Sequence, residues 1–226
     1  MTQVLKVFGK VLPTKLQHKL MMKALRKNYL YGSYNEVYRG SGRVLTESER
    51  AIIQEFIVTV RNKSNKTRPD ILDIGCGNAK LYDCFILELG AWLTGIDISE
   101  SQIQEAKWNA PTMKFICGDF TNYDFEQSYD GITSFYSFYN FPRKMHKEVL
   151  TKMYNLLRDK GVMLINVRID EAGAFDYKDD WCGEPIVFSY YGSKVFKKLA
   201  EEVGFDVYTF SITNNPEYVW LMLKKG

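Results

Sequence analysis

Histidine is the scarcest chemically versatile residue in this 226-residue chain: there are only two, His18 and His146, far apart in sequence. That argues against a His-ligated metal and against a Ser–His–Asp hydrolase, since both need an imidazole beside specific partners. The four cysteines, Cys76, Cys84, Cys117 and Cys182, form no C-x-x-C pair and have no His cluster nearby. No metal site is therefore expected, and scattered thiols suit a reducing compartment. Long apolar runs are missing too: none reaches the ~18 residues of a membrane-spanning helix. Lys6, Lys10 and Lys15 interrupt the stretch that a signal peptide would keep apolar. These absences make the cytoplasm the expected location.

Acidic residues are absent from positions 1–35, where seven basic side chains (Lys6, Lys10, Lys15, Lys19, Lys23, Arg26, Lys27) give +7. The net charge is +3, so the remainder carries −4. A slightly acidic body disfavours nucleic acid as a partner. What is present is globular in composition, with 46% hydrophobic and 25% charged residues. A chain this long buries a sizeable core without staples.

The hydrophobic pattern divides the chain into residues 1–66, read as an N-terminal helical cap or lid, and residues 67–226, read as the main domain. Leu16, Leu20, Met21, Ala24 and Leu25 recur at helical spacing over Thr14–Asn28. Thr46 and Glu49 form a capping-box pattern that opens a second helix, through about Val60. From Asp70 onward, apolar strands (71–74, 92–96, 114–117, 131–135, 162–167) alternate with helices (79–89, 99–109, 143–157), which predicts parallel pairing in an α/β sandwich. Residues 168–191 break the alternation and read as an irregular, aromatic and acidic substrate-side loop. A helix over Ser193–Val203, stopped by Gly204, precedes two final strands around Asn214-Asn215-Pro216.

One motif stands out. Ile71-Leu-Asp-Ile-Gly-Cys-Gly-Asn78 places a G-x-G turn after a strand and before a helix, where the backbone can approach a ligand closely. Asp97 ends the next strand twenty residues after Gly77, a place from which a carboxylate can hold both hydroxyls of a ribose. A dinucleotide fingerprint wants a third glycine where Lys80 stands, and Asp73 would put a carboxylate near a pyrophosphate. The same acid suits a ligand that carries an ammonium and a sulfonium. Cys76 reads as a small packed residue, and Asp130 as structural.

With Asp73–Gly77, Asp97 and Gly118-Asp119-Phe120 in this order, the sequence resembles the class I S-adenosylmethionine-dependent methyltransferases. The resemblance covers about residues 29–223 and is nearest in pattern to bacterial small-molecule enzymes. It implies a Rossmann-like, mostly parallel seven-stranded sheet of order 3-2-1-4-5-7-6, its last strand antiparallel, sandwiched by helices. It further implies S-adenosylmethionine as cofactor and S-adenosylhomocysteine as product. Asp73, Gly75, Cys76 and Gly77 would face the methionine part, and Asp97 the ribose, with Ile98 packed on the adenine. Asp119 would accept from the adenine amino group, the Phe120 backbone would complete that edge, and Phe135 would line the site. Tyr31 and Tyr38 match a Y-x6-Y spacing of tyrosines that close over the cofactor, although Gly32 replaces the usual acid.

The acceptor side is less defined. Tyr139, Asn140 and Tyr191 are weak candidates for a catalytic role, beside Tyr136, Asp176, Asp179, Asp180 and Glu184. Many relatives have a His near Tyr139 or Asn140; here the nearest is His146, inside the next predicted helix. Aromatic residues concentrate at 135–141 and 177–191, which predicts a largely apolar pocket for a small organic acceptor methylated on O or N. Two other readings stay open: an RNA or protein methyltransferase that uses the basic arm, and a non-catalytic S-adenosylmethionine-binding subunit. Residues 4–28 could also rest on an anionic membrane or an acidic partner.

Overall fold

A computed structural model describes residues 13–28, 43–169, 173–181, 184–211 and 217–226. Tyr31, Tyr38, Asn214–Pro216 and residues 4–12 of the basic arm lie outside the described residues.

The strands are β1 (Asp70–Ile74), β2 (Trp92–Asp97), β3 (Lys114–Cys117), β4 (Tyr129–Ser134), β5 (Leu157–Arg168), the hairpin pair β6 (Ala174–Trp181) and β7 (Glu184–Tyr190), then β8 (Phe205–Ser211) and β9 (Tyr218–Lys225). Seven of them form one sheet in the order β3-β2-β1-β4-β5-β9-β8. Pairing is parallel from β3 to β5, and β9 runs antiparallel to both β5 and β8. With the separate hairpin set aside, this is the 3-2-1-4-5-7-6 order expected from the sequence.

Helices α1 (Thr14–Asn28), α2 (Glu47–Ser64), α3 (Tyr82–Glu88), α4 (Glu100–Asn109), α5 (His146–Leu156) and α6 (Ser193–Val203) complete the described elements. α2 starts where its capping box acts: Thr46 Oγ1 accepts from Glu49 N, and Thr46 N donates to Glu49 Oε2 at 3.0 Å. α6 stops at Gly204, whose φ of 113° is left-handed.

Consecutive core residues of the central strands face opposite layers, as strands buried on both sides require. On one side Ile71, Leu164 and Trp220 pack with Ile53, Phe56 and Val60 of α2. On the other, Leu72, Ile165 and Leu221 pack with Val149 and Leu150 of α5 and Phe196 of α6. Helix α2, placed with the cap from sequence, is thus a layer helix of the sheet, with Ile53, Phe56 and Val60 fully buried. Its closeness explains Gly131 on β4: a Cβ there would lie 2.6 Å from Ile71 Cδ1 and 2.9 Å from Phe56 Cζ.

Several boundaries differ from expectation. α3 begins at Tyr82 rather than near residue 79 because Ala79 has a φ of 53°, which no right-handed helix admits. A 3-10 turn over Arg143–Met145 precedes α5. β5 starts at Leu157 and passes through a register shift instead of a clean turn at Gly161. The largest difference lies in residues 168–191, which form the antiparallel hairpin β6–β7 and not an irregular loop. Its period-two alternation, Phe175-Asp-Tyr-Lys178, is obscured in the sequence by the adjoining acids Asp179 and Asp180.

Opposite the carboxyl ends of the strands, an ion cluster closes the sheet. Asp130, 4% exposed, accepts from Asp70 N and Lys66 Nζ at 2.8 Å each and pairs with Arg158 Nη1 at 2.8 Å. Asp130 therefore fastens β1, β4 and the start of β5 together, in agreement with a structural role. Asp130→Ala leaves the Asp70 backbone N–H without its acceptor and Lys66 and Arg158 with Asp70 as their remaining carboxylate; we expect a loss of about 2 kcal/mol in urea unfolding.

Candidate functional site

The turn after β1 is held by β2. Gly75 N and Cys76 N both donate to Ile96 O, at 2.8 and 3.2 Å. Gly75 has a φ of +77°, and a Cβ there would run into the Ser137 side chain, so glycine is required twice over. Gly77 N donates to Asp97 Oδ2 at 2.9 Å, while Ser99 N donates to Asp97 Oδ1 at 2.8 Å. One carboxylate thereby links the glycine turn to the end of β2. Asp73 is 3% exposed and accepts from Thr133 Oγ1 at 2.6 Å. Cys76 is buried against Gly95, in keeping with a packed residue.

Asp119, after β3, accepts from Thr121 N and Thr121 Oγ1 through Oδ1 and from Asn122 Nδ2 through Oδ2. Asp97 and Asp119 border a cleft, partly open to solvent, at the carboxyl ends of β1–β4. Gly75, Gly77, Ile98, Phe120, Phe135 and Asn140 also line it, so most of the residues expected at a cofactor converge there. Tyr31 and Tyr38, the expected tyrosine lid, lie outside the described residues.

Helix α1 covers this cleft. Met22 and Leu25 line it directly. With Met21 they form a third apolar cluster with Val187, Phe188 and Tyr190, joined by Ile98 and Tyr139. His18 lies on the same face of α1, 7% exposed, with Nε2 at 3.5 Å from Asp119 Oδ2 and its ring stacked near Phe141. Burial lowers the His18 pKa despite the pull of Asp119 and Glu148. The reading of single motifs missed this residue. Its signal was the stripe His18, Met21, Met22, Leu25, which marks one helix face.

The acceptor candidates fall into three groups. Asn140 lines the cleft, and its Oδ1 is buried with no hydrogen-bond partner. Tyr139 packs edge-on to Phe188 at 5.1 Å and near Tyr218 at 6.1 Å, beside the cleft. Tyr191 points elsewhere, meeting the His146 ring edge-on and the Arg143 guanidinium at 5.8 Å, so the structure does not bring it to the cleft. The side chains of Asp176, Asp179, Asp180 and Glu184 lie outside the described residues. Among the described residues, no three His, Cys, Asp or Glu side chains are grouped as a metal site. Nor is any described helix long and apolar enough to cross a membrane.

His146 does not serve the cleft either. It is 1% exposed, with Nε2 at 3.1 Å from Phe141 O, which anchors the loop after β4. Burial pushes its pKa from 6.5 down to about 4. The unfolded chain then takes up a proton below pH 6.5 that the folded chain refuses until about pH 4, so stability falls as the pH falls through this window. We expect His146→Gln to lessen the loss between pH 7 and pH 4 by about 3 kcal/mol, read as the difference between urea-unfolding free energies at the two pH values.

Residues 71–161 match the family model described as a methyltransferase domain. No curated protein matches the sequence significantly. Solved structures resemble the whole chain. Magnesium protoporphyrin IX methyltransferase from Synechocystis PCC 6803, with bound S-adenosylmethionine, is 15% identical, covers 96% of this chain and 99% of its own, and has a TM-score of 0.66. The 1,6-didemethyltoxoflavin-N1-methyltransferase of Burkholderia thailandensis is 15% identical over 95% of this chain and 91% of its own, with a TM-score of 0.65. An amino pentose methyltransferase of calicheamicin biosynthesis from Micromonospora echinaspora is 14% identical over 85% and 96%, with a TM-score of 0.65. Sheet order, motif order and the matched domain agree: residues 71–161 carry a methyltransferase domain, and the chain has the Rossmann-like fold of S-adenosylmethionine-dependent methyltransferases.

Proposed function

We propose that the protein binds S-adenosylmethionine in the cleft beside Asp97 and Asp119 and transfers its methyl group to an O or N atom of a small organic acceptor. The observation that carries this reading is the convergence of the left-handed Gly75 turn and two acids, Asp97 and Asp119, on one cleft covered by apolar side chains of α1. Asp97 would hold the ribose hydroxyls, with Ile98 and Leu25 against the adenine and Asp119 and the Phe120 backbone at its amino edge. Asp73, Gly75, Cys76 and Gly77 would enclose the methionine part, and Phe135 would lie beside it. α1, with Tyr31 and Tyr38, would form the lid. Three similar structures of 14–15% identity are named for methylating small molecules, which supports a small acceptor.

The bound sulfonium supplies an already activated methyl group, so the protein's task is alignment and exclusion of water. The covered cleft suits that task. A base is needed only where the acceptor atom must lose a proton. Asn140 Oδ1, buried and unpartnered at the cleft, would accept a hydrogen bond from such an acceptor.

Calorimetry tests the first half of this reading. Both S-adenosylmethionine and S-adenosylhomocysteine should bind, and Asp97→Ala should weaken both by about tenfold or more, through the lost ribose bonds and the loosened Gly77 turn. Unchanged affinity in the variant would remove Asp97 from the site. The second half is tested by mass spectrometry of small-molecule and macromolecular fractions incubated with labelled cofactor. Label confined to RNA or protein would replace the small-acceptor reading.

A further inference from the structure

We propose that the acceptor carries a carboxylate and that Arg168, at the end of β5, is its anchor. This rests on the methyl-transfer reading above and adds to it the chemical class of the molecule methylated.

Arg168 stands where strand geometry brings together residues distant in sequence. Asn166 and Arg168 are two apart on β5 and share a face, and Arg168 is paired directly with Tyr218 of β9. The guanidinium carbon lies 5.5 Å from the Tyr218 ring centroid and 5.0 Å from that of Tyr190 on β7. From Tyr218 the aromatic wall continues to Tyr136 at 4.9 Å and to Tyr139 at 6.1 Å. Tyr136 also lines the cofactor cleft, so the wall runs from that cleft to the arginine. Tyr136 itself sits at a φ of 53°, with its N–H donated to Asn166 Oδ1 at 2.6 Å. A left-handed tyrosine is costly backbone, and here it presents a ring at the mouth between cofactor and wall.

Two arginines meet this wall, and their partners distinguish them. Arg43, 5.4 Å from the Tyr136 centroid, is matched by the buried Glu49 carboxylate at 3.3 Å and donates to the Tyr82 hydroxyl at 2.8 Å. Its charge is already answered inside the protein. Arg168 has a side chain 22% exposed, and its one carboxylate contact among the described residues is Glu217 at 3.2 Å, which is 62% exposed. Its Nε–H is buried and makes no hydrogen bond. Asn166 Nδ2, on the same face of β5, is a second buried donor without a partner. Two unfilled donors, beside a guanidinium whose own partners are the exposed Glu217 carboxylate and the Tyr218 hydroxyl, suit a monoanionic acceptor oxygen pair, which a carboxylate on a flat apolar body provides. A phosphate dianion would call for more cationic groups than this wall holds.

The test uses the full chain loaded with S-adenosylhomocysteine, with 4-hydroxybenzoate, 3-phenylpropanoate and indole-3-acetate as probes, each beside its neutral amide. Binding is followed by calorimetry and by ligand-observed NMR. At least one carboxylate should bind about tenfold or more tightly than its amide, since a charged hydrogen-bonded pair is exchanged for a neutral one. Arg168→Met should abolish that preference and Arg168→Lys should keep part of it, with S-adenosylhomocysteine affinity unchanged in both. Retained cofactor affinity shows that the variants fold. The proposal is overturned if no carboxylate outbinds its amide, or if the preference survives in Arg168→Met. Failure of the wild-type chain to bind S-adenosylhomocysteine would instead overturn the methyl-transfer reading.

Discussion

The Asp97 carboxylate is the constraint on which the cleft depends. Its two oxygens take the N–H groups of Gly77 and Ser99, so the turn after β1 and the start of α4 are set by a single side chain. Parallel β1 and β2 deliver their ends to the same level, and the Gly75 and Cys76 bonds to Ile96 O complete the joint. Gly75 then brings its backbone against Ser137 of the loop after β4, where no larger residue fits. Three strand ends are thus brought together by a few polar contacts rather than by a deep apolar plug. That is how a ligand pocket persists at the edge of a well-packed sheet.

The two ends of the sheet use charge in opposite ways. At the amino ends Asp70 and Asp130 are saturated by Lys66 and Arg158, and nothing is left over for a ligand. At the carboxyl ends Asp97 takes the N–H groups of Gly77 and Ser99, and Asp119 takes backbone N–H, hydroxyl and amide donors with His18 beside it. Neutral donors orient a carboxylate while leaving its charge to act on a ligand. The first arrangement builds the fold, and the second leaves room for chemistry.

How much of this was legible in the sequence follows from how local each feature is. The glycine turn, Asp97 and Asp119 sit at the ends of consecutive strands, each read from a short window with its own turn signals. Parallel pairing followed from the alternation of strands and helices, whereas the strand order was what the family resemblance implied. Arg168, Tyr136, Tyr190 and Tyr218 come together only through the pairing of β5 with β9 and the placement of β7, so no window of the sequence holds their signal. The hairpin was hidden for a different reason: acids at 179 and 180 disguised a period-two pattern as a loop. Tyr191 was misjudged because adjacency to the aromatic run does not say which way a residue turns after the strand ends.

The helix over the cleft, α1, and the strand β7 come from opposite halves of the chain and meet through Met21 and Met22 against Val187 and Phe188. Thioether side chains repack at little cost, so this seam can adjust to occupants of different outline without disturbing the sheet beneath. The same sulfurs become polar when oxidised to sulfoxide. Oxidation of Met21 or Met22 would put a polar group into this buried seam between the first described helix and the hairpin.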